Sequence, residues 1–458
     1  MSNKDLHHMG TNVLRSRQSR RNLVKGGAAA IAASTFAATG VGAASSNKRW
    51  SSISMHLRRQ GSITLRATVW LGDDEFKAME ELGSHFTEQH PEVSIEFINI
   101  IDGGPWGRDQ LQRMIAGGEA PDLMMLNTGQ FEAFGTRGAL AELDERISGD
   151  SFDMGVYFQP AIDGCTIDGK IYGLPKDISD HVVYLNTDFF EAAGVELPTN
   201  EWTWADYRET AKALTGDMTW GTSMQNSVWS WGSFVHSNGG AVLNDERTEI
   251  LLDTEEAREA LRQYYAVLVE DQAAVPPGAL PQAEGANEQF LSGAVGMNMA
   301  GPWYRPGLVE NQPFNWTLRL YPRPTAESDP PISVLYTDQW GMSSTSENPD
   351  QAWELLKFLS GPEGQSIWSD IYGSRSIVPI QEIANSDAWL SYGGEEHLED
   401  NQTILDQLER TVPPPTNFGN GAEIENIWNE QFELVMVGQQ DVDTAIDTIL
   451  QSGASALE

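Results

Sequence analysis

Flat aromatic rings recur at loop positions of this chain: Trp70, Trp106, Trp229, Trp231, Trp303, Tyr304 and Trp340. Carboxylates accompany them at Asp73, Asp102, Asp177, Asp180 and Asp338, with an amide at Asn127 and a guanidinium at Arg375. Rings that can stack on apolar C–H faces, beside planar groups that can hold a rim of hydroxyls, are what a neutral sugar requires. All of these residues except Trp231 and Asp102 form the expected ligand-binding set. The most pointed stretch is GANEQFLSGAVGMNMAGPWYR, residues 285–305. In it Gly301 and Pro302 set a tight turn that presents Trp303 and Tyr304 as the floor of a cleft. Fifteen Trp cannot all be ligand platforms. Trp202, Trp204, Trp353 and Trp368 fall on helical patterns and are assigned to the core, because aromatics dominate burial.

Other chemistries find less support. The chain has no P-loop, HExxH, GxSxG, CxxC or EF-hand loop, so no catalytic residue, cofactor or metal is expected. Paired carboxylates could serve a glycoside hydrolase, but in so acidic a chain a pair proves nothing, and hydrolysis stands as a lesser alternative. The same carboxylates would suit a cationic solute such as a polyamine, the other alternative. An anionic ligand would want several cations, and the cleft loops offer mainly Lys176 and Arg375. The one cysteine, Cys165, cannot form an intramolecular disulfide and reads as a small buried hydrophobe.

These residues must be positioned by an α/β framework. Residues 62–71 alternate as a strand, Phe76, Met79, Leu82 and Phe86 follow at helical spacing, and 93–101 is a second strand. Strand, helix, strand opens a parallel sheet, and ligands bind where such strands end, which places Trp70, Asp73 and Asn127 at the carboxyl edge. Thr203-Trp204-Ala205-Asp206 reads as a capping box with Asp in place of Glu. At 458 residues the chain exceeds one ordinary core, and two lobes are expected.

Charge separates the function classes further. Against 29 Lys and Arg stand 66 Asp and Glu, a net charge of −37 spread along the chain. Such a surface repels nucleic acid and anionic lipid and reads as adaptation to high salt. The first segment is an address. RSRQSRRNLVK (15–25) followed by a small apolar run resembles the twin-arginine export signal, expected over 1–43, with a linker over 44–60.

Five stretches, in order, carry a family resemblance: AGGEAPDLMML (116–126), GKIYGLPKDISDHVVYLNTDFFEAAGVELP (169–198), WTWADYRETAKALT (202–215), FLSGAVGMNMAGPWY (290–304) and AWELLKFLSGPEGQ (352–365). They resemble the extracellular solute-binding proteins of ABC importers, in the large sugar-binding family that includes maltose-binding protein. The resemblance implies a class II, two-lobed periplasmic-binding-protein-like fold, each lobe a sheet flanked by helices, with a carbohydrate in a hinged cleft and a membrane permease as partner. It implies a monomer acting at the cell surface or outside the cell. It places lobe crossings near 175–182, 294–299 and 330–333, giving lobes of 61–180 plus 294–332 and 181–293 plus 333–458. Trp303 stands where that family stacks an indole on a sugar ring, and Trp229 where another aromatic stacks. The chain departs after the 122–126 strand, where Leu126, Gly129 and Gln130 replace the residues that grip glucose units, which argues against maltodextrin while leaving carbohydrate standing.

Overall fold

Strand β1 (Ile63–Val69) buries Leu65, Ala67 and Val69 on one face and Thr68 on the other, the mark of a strand clad on both sides. It opens a computed structural model that describes residues 63–104, 107–283, 285–373, 376–416 and 421–457. All of these belong to the unit Leu57–Glu458. The expected export signal and linker, 1–43 and 44–60, lie outside the described residues. The helix Asp73–Gln89 follows β1, with Asp73, Asp74 and Glu75 at its positive end, and buries Ala78, Met79, Leu82 and Phe86 as one stripe.

A five-stranded sheet runs β2 (Val93–Asn99), β1, β3 (Leu123–Asn127), β12 (Tyr336–Met342), β6 (Gly173–Ser179). The first three strands are parallel, and β12 enters antiparallel between β3 and β6. A four-stranded sheet runs β10 (Trp316–Arg319), β7 (Val182–Asn186), β9 (Val295–Ala300), β8 (Trp220–Thr222). Small pairs complete the sheet inventory: β4 (Thr166–Ile167) with β5 (Lys170–Ile171), and β11 (Ser333–Val334) with β13 (Thr411–Val412). Each main sheet carries its own hydrophobic core, one around Leu65, Met79, Trp340 and Leu356, the other around Leu185, Trp231, Tyr265 and Phe432.

The chain passes from the first sheet to the second at Asp180–His181, between β6 and β7, and returns between β10 and β12 through residues 320–335. The pairing corrects the expected division of the lobes. β9 and β10, expected with the first lobe, hydrogen-bond to β7 of the second, and β12, expected with the second, lies inside the first sheet. No crossing occurs at 294–299, since β9 is flanked by β7 and β8 within one sheet. These two crossings are tied together, the His181 N–H donating to Ser333 Oγ at 2.9 Å, and the chain passes to the second core once more after residue 372, where the helix Gly421–Met436 packs.

Local predictions find their physical form. Thr203 and Asp206 make the capping box, with Asp206 Oδ2 accepting from Thr203 N at 2.8 Å. Trp202, Trp204, Trp353 and Trp368 are buried in the cores, and Cys165 is fully buried, its thiol pushed up by desolvation.

Candidate functional site

The carboxyl ends of the first sheet face the loops of the second across a cavity of about 560 Å³, within the size range of small-molecule sites. Trp70 and Leu71, at the end of β1, and Glu75, in the first turn of Asp73–Gln89, form one edge. Between β6 and β12 a register shift sets Asp338 opposite Asp177 and Gln339 opposite Pro175, so Lys176 is an extra residue on β6. Pro175 has no N–H for the ladder, and a bulge there re-aims the side chains that follow. Lys176 and Asp177, which a regular strand would send to opposite faces, both line the cavity, and Lys176 Nζ lies 2.8 Å from Asp177 Oδ2 and 3.7 Å from Glu75 Oε1.

The other wall comes from the second sheet. Ser227 caps the helix Val228–Ser237, its hydroxyl accepting from Trp229 N, which holds Trp229 in the first turn facing the cavity. After β9, Gly301 leads into Trp303, which remains 42% exposed. A Cβ on Gly301 would fall on that indole, whereas its φ of −89° is open to any residue. The glycine is there for space, so that the ring can fold back across the turn. Trp303 lies 5.2 Å from the His181 ring and 5.6 Å from Tyr336, and Trp229 lies 5.8 Å from Tyr336, between ring centroids. Trp229, Tyr336 and Glu425 also border an adjoining compartment of about 370 Å³ that includes Asn127, Gln130, Arg108 and Arg137.

Burial opposes the charge on Lys176, but Asp177, Glu75 and Asp338 more than offset it and hold the ammonium protonated well above its ordinary range. Burial, and then Asp177 opposite, push the Asp338 carboxyl well above the usual range, against the pull of Lys176. Burial lowers His181 to about 4, so its imidazole is neutral at physiological pH. The cavity thus offers three indoles, a phenol and hydrogen-bonding groups of both kinds around one compensated charge cluster. Among the described residues no group of three or more His, Cys, Asp or Glu is placed to hold a metal ion.

The profile of the family described as bacterial extracellular solute-binding protein matches residues 81–396. The chain belongs to this family. A putative binding protein of Brucella abortus is 28% identical over 296 residues, 61% of this chain and 67% of that one. The lactose-binding protein of Rhizobium radiobacter is 24% identical over 307 residues, 63% of this chain and 69% of that one. Among solved structures, an ABC substrate-binding protein from Listeria monocytogenes in complex with cycloalternan has 26% identity and a TM-score of 0.75, covering 85% of this chain and 97% of that one. The likeness extends through both sheets, and the two-lobed fold is that of these binding proteins. No helix among the described residues is long and apolar enough to cross a membrane.

In this solute-binding protein, Trp70, Asp177, Trp229, Trp303 and Asp338 of the expected set come together around the larger cavity, and Asn127 lies in the adjoining one. Asn127 also caps the helix Thr128–Thr136, accepting from Gln130 N at 3.0 Å. Four expectations are corrected. Trp340 is 1% exposed and packs in the first core, because that part of β12 is covered by the helix Pro349–Ser360. Tyr304 is 5% exposed, its ring edge-on to Tyr184 and its hydroxyl donating to Asn287 O. Asp180 is fully buried at the crossing, off the cavity, its carboxyl pushed up by desolvation against the pull of Arg305 and Arg410. Asp73 is exposed at the first position of the helix, two residues before Glu75, and lines neither compartment. Trp106 and Arg375 lie outside the described residues. Sequence reasoning missed Glu75, His181, Tyr336 and Glu425. The period-3 step from Gly72 into the helix could have favoured Glu75, but nothing local marks Glu425, which arrives from the helix Gly421–Met436.

Proposed function

We propose that this solute-binding protein is the sugar receptor of an ABC importer, holding a sugar or oligosaccharide between its lobes and passing it unaltered to a membrane permease. The observation that carries this reading is the convergence of Trp70, Trp229, Trp303 and Tyr336 with Lys176, Asp177 and Asp338 on one cavity. The bound sugar in the Listeria structure and the name of the Rhizobium relative support the same class of ligand. A cationic solute is the weaker fit, because Lys176 already occupies the centre of the carboxylate cluster. In this reading the lobes are built from 63–179 with 336–372 and from 182–319 with 421–457. The protein acts as a monomer, the twin-arginine-like segment exports it, and its acidic surface serves a salty exterior.

The test is a titration in molar KCl with a panel of neutral mono- and oligosaccharides, following tryptophan fluorescence and analysing the sugars afterwards. A saturable fluorescence change with intact sugar is expected for at least one member. Released sugar would point to hydrolysis, and a panel with no response would remove the receptor reading.

A further inference from the structure

The helix Thr128–Thr136 follows β3 of the first sheet, while residues 244–249 form a turn whose flanks, Val242, Leu243 and Ile250, pack in the core of the second. Across this boundary Arg247 Nη1 donates to both carboxylate oxygens of Glu132, at 2.9 Å each. Both side chains are largely shielded, and neither residue lines either compartment of the ligand cavity.

The turn is wired to present this one side chain. Asn244 Oδ1 accepts from Thr248 N at 2.8 Å and from Glu249 N at 3.0 Å, and Arg247 N donates to Asn244 O at 2.9 Å. Arg247 takes a φ of +57°, the left-handed region that a residue with a Cβ enters only when its surroundings hold it there. An arginine fixed in this way, in a chain with 29 basic residues against 66 acidic ones, is a placed cation rather than a solvated one.

We infer that Glu132 and Arg247 form a latch that holds the two lobes in the ligand-enclosing arrangement without touching the ligand. This rests on reading the cleft as a receptor site that closes, since a contact made only in the closed state shifts the population toward it. Burial pushes the Glu132 carboxyl up to about 7, Arg247 pulls it down, and Asp168 of the neighbouring hairpin pushes it up. With Arg247 removed, closure buries a carboxylate that has lost its partner, so the single change costs closure more than removing both would. A contact in which one guanidinium nitrogen serves both carboxylate oxygens at this distance is also screened far less by molar salt than the separated charges of the acidic surface.

The test uses ligand-free full-length protein at pH 8, where Glu132 is ionised, with spin labels on cysteines placed at the exposed positions Ser84 and Glu209, one per lobe. Arg247→Ala should shift the label-to-label distance distribution to longer values, and the exchange of both residues, Glu132→Arg with Arg247→Glu, should return it toward wild type. Distributions that superpose for wild type and Arg247→Ala, or a shift that the exchange leaves in place, would overturn the latch. Because no sugar is present, the result is independent of whether the sugar panel responds.

Discussion

At the scale of single residues, the site depends as much on an absent atom as on the rings present. Trp303 is offered to the cavity because Gly301 leaves room for the indole to lie back against the chain. Gly301→Ala should therefore displace the ring and weaken sugar binding about as much as Trp303→Ala, each by ~1–3 kcal/mol, the range seen when a stacking aromatic is removed. Calorimetry with the tightest sugar of the panel measures both. Wild-type affinity in Gly301→Ala would show that the ring's position does not matter. The Gly-Pro-Trp signature was legible in the sequence, but its cause was not, since a turn preference and a steric need leave the same letters. Trp340 shows the converse. Its neighbours Asp338, Gln339 and Gly341 read as an exposed loop, and only the helix packed over β12 sends it to the core.

At the scale of elements, the bulge at Pro175–Asp177 and the crossing at Asp180–His181 fall within seven residues and perform different tasks. The bulge brings Lys176 beside Asp177, and the crossing puts the His181 ring against Trp303 while its backbone N–H fixes the second crossing. His181 has a folded pKa of about 4, below its ordinary 6.5, so the stability it contributes as a neutral ring is present above pH 6.5 and is lost as pH falls toward 4. A shift of that size corresponds to about 3 kcal/mol. Denaturant unfolding of wild type and His181→Gln at a series of pH values between 7.5 and 4 should show the variant losing on the order of 3 kcal/mol less over that interval. His236, lowered to about 4 by its own burial, stays in both proteins and contributes equally. Parallel stability curves would mean that His181 does not titrate in this way. Strand positions and helix stripes were readable along the chain, as the capping box at Thr203 and the stripe of Asp73–Gln89 show. Which sheet β9, β10 and β12 join was not, because periodicity records burial and leaves the hydrogen-bonded neighbour open.

At the scale of the whole molecule, two sheets with separate cores are joined by a few crossing segments, and both carry a heavy excess of carboxylates. The net charge of −37 is spread over the chain, while among the described residues ion pairs such as Arg262 with Asp443 and Arg208 with Asp271 engage most of the cations in local contacts. The uncompensated acids repel one another in the folded state more than in the expanded chain, so dilute salt is expected to destabilise the fold. Raising ionic strength from 0.1 M to 1 M shortens the screening length from about 10 Å to about 3 Å, less than most separations between exposed carboxylates but no barrier to pairs in contact. The melting temperature should therefore climb steeply between 0.1 M and molar KCl. It should climb less in a variant in which exposed acids such as Glu80, Glu81, Glu88 and Glu246 are replaced by Gln, because the repulsion to be screened is smaller. If both proteins gain equally from salt, the gain comes from stronger apolar burial and not from screening, and the acidic surface would need a different explanation from stability in brine.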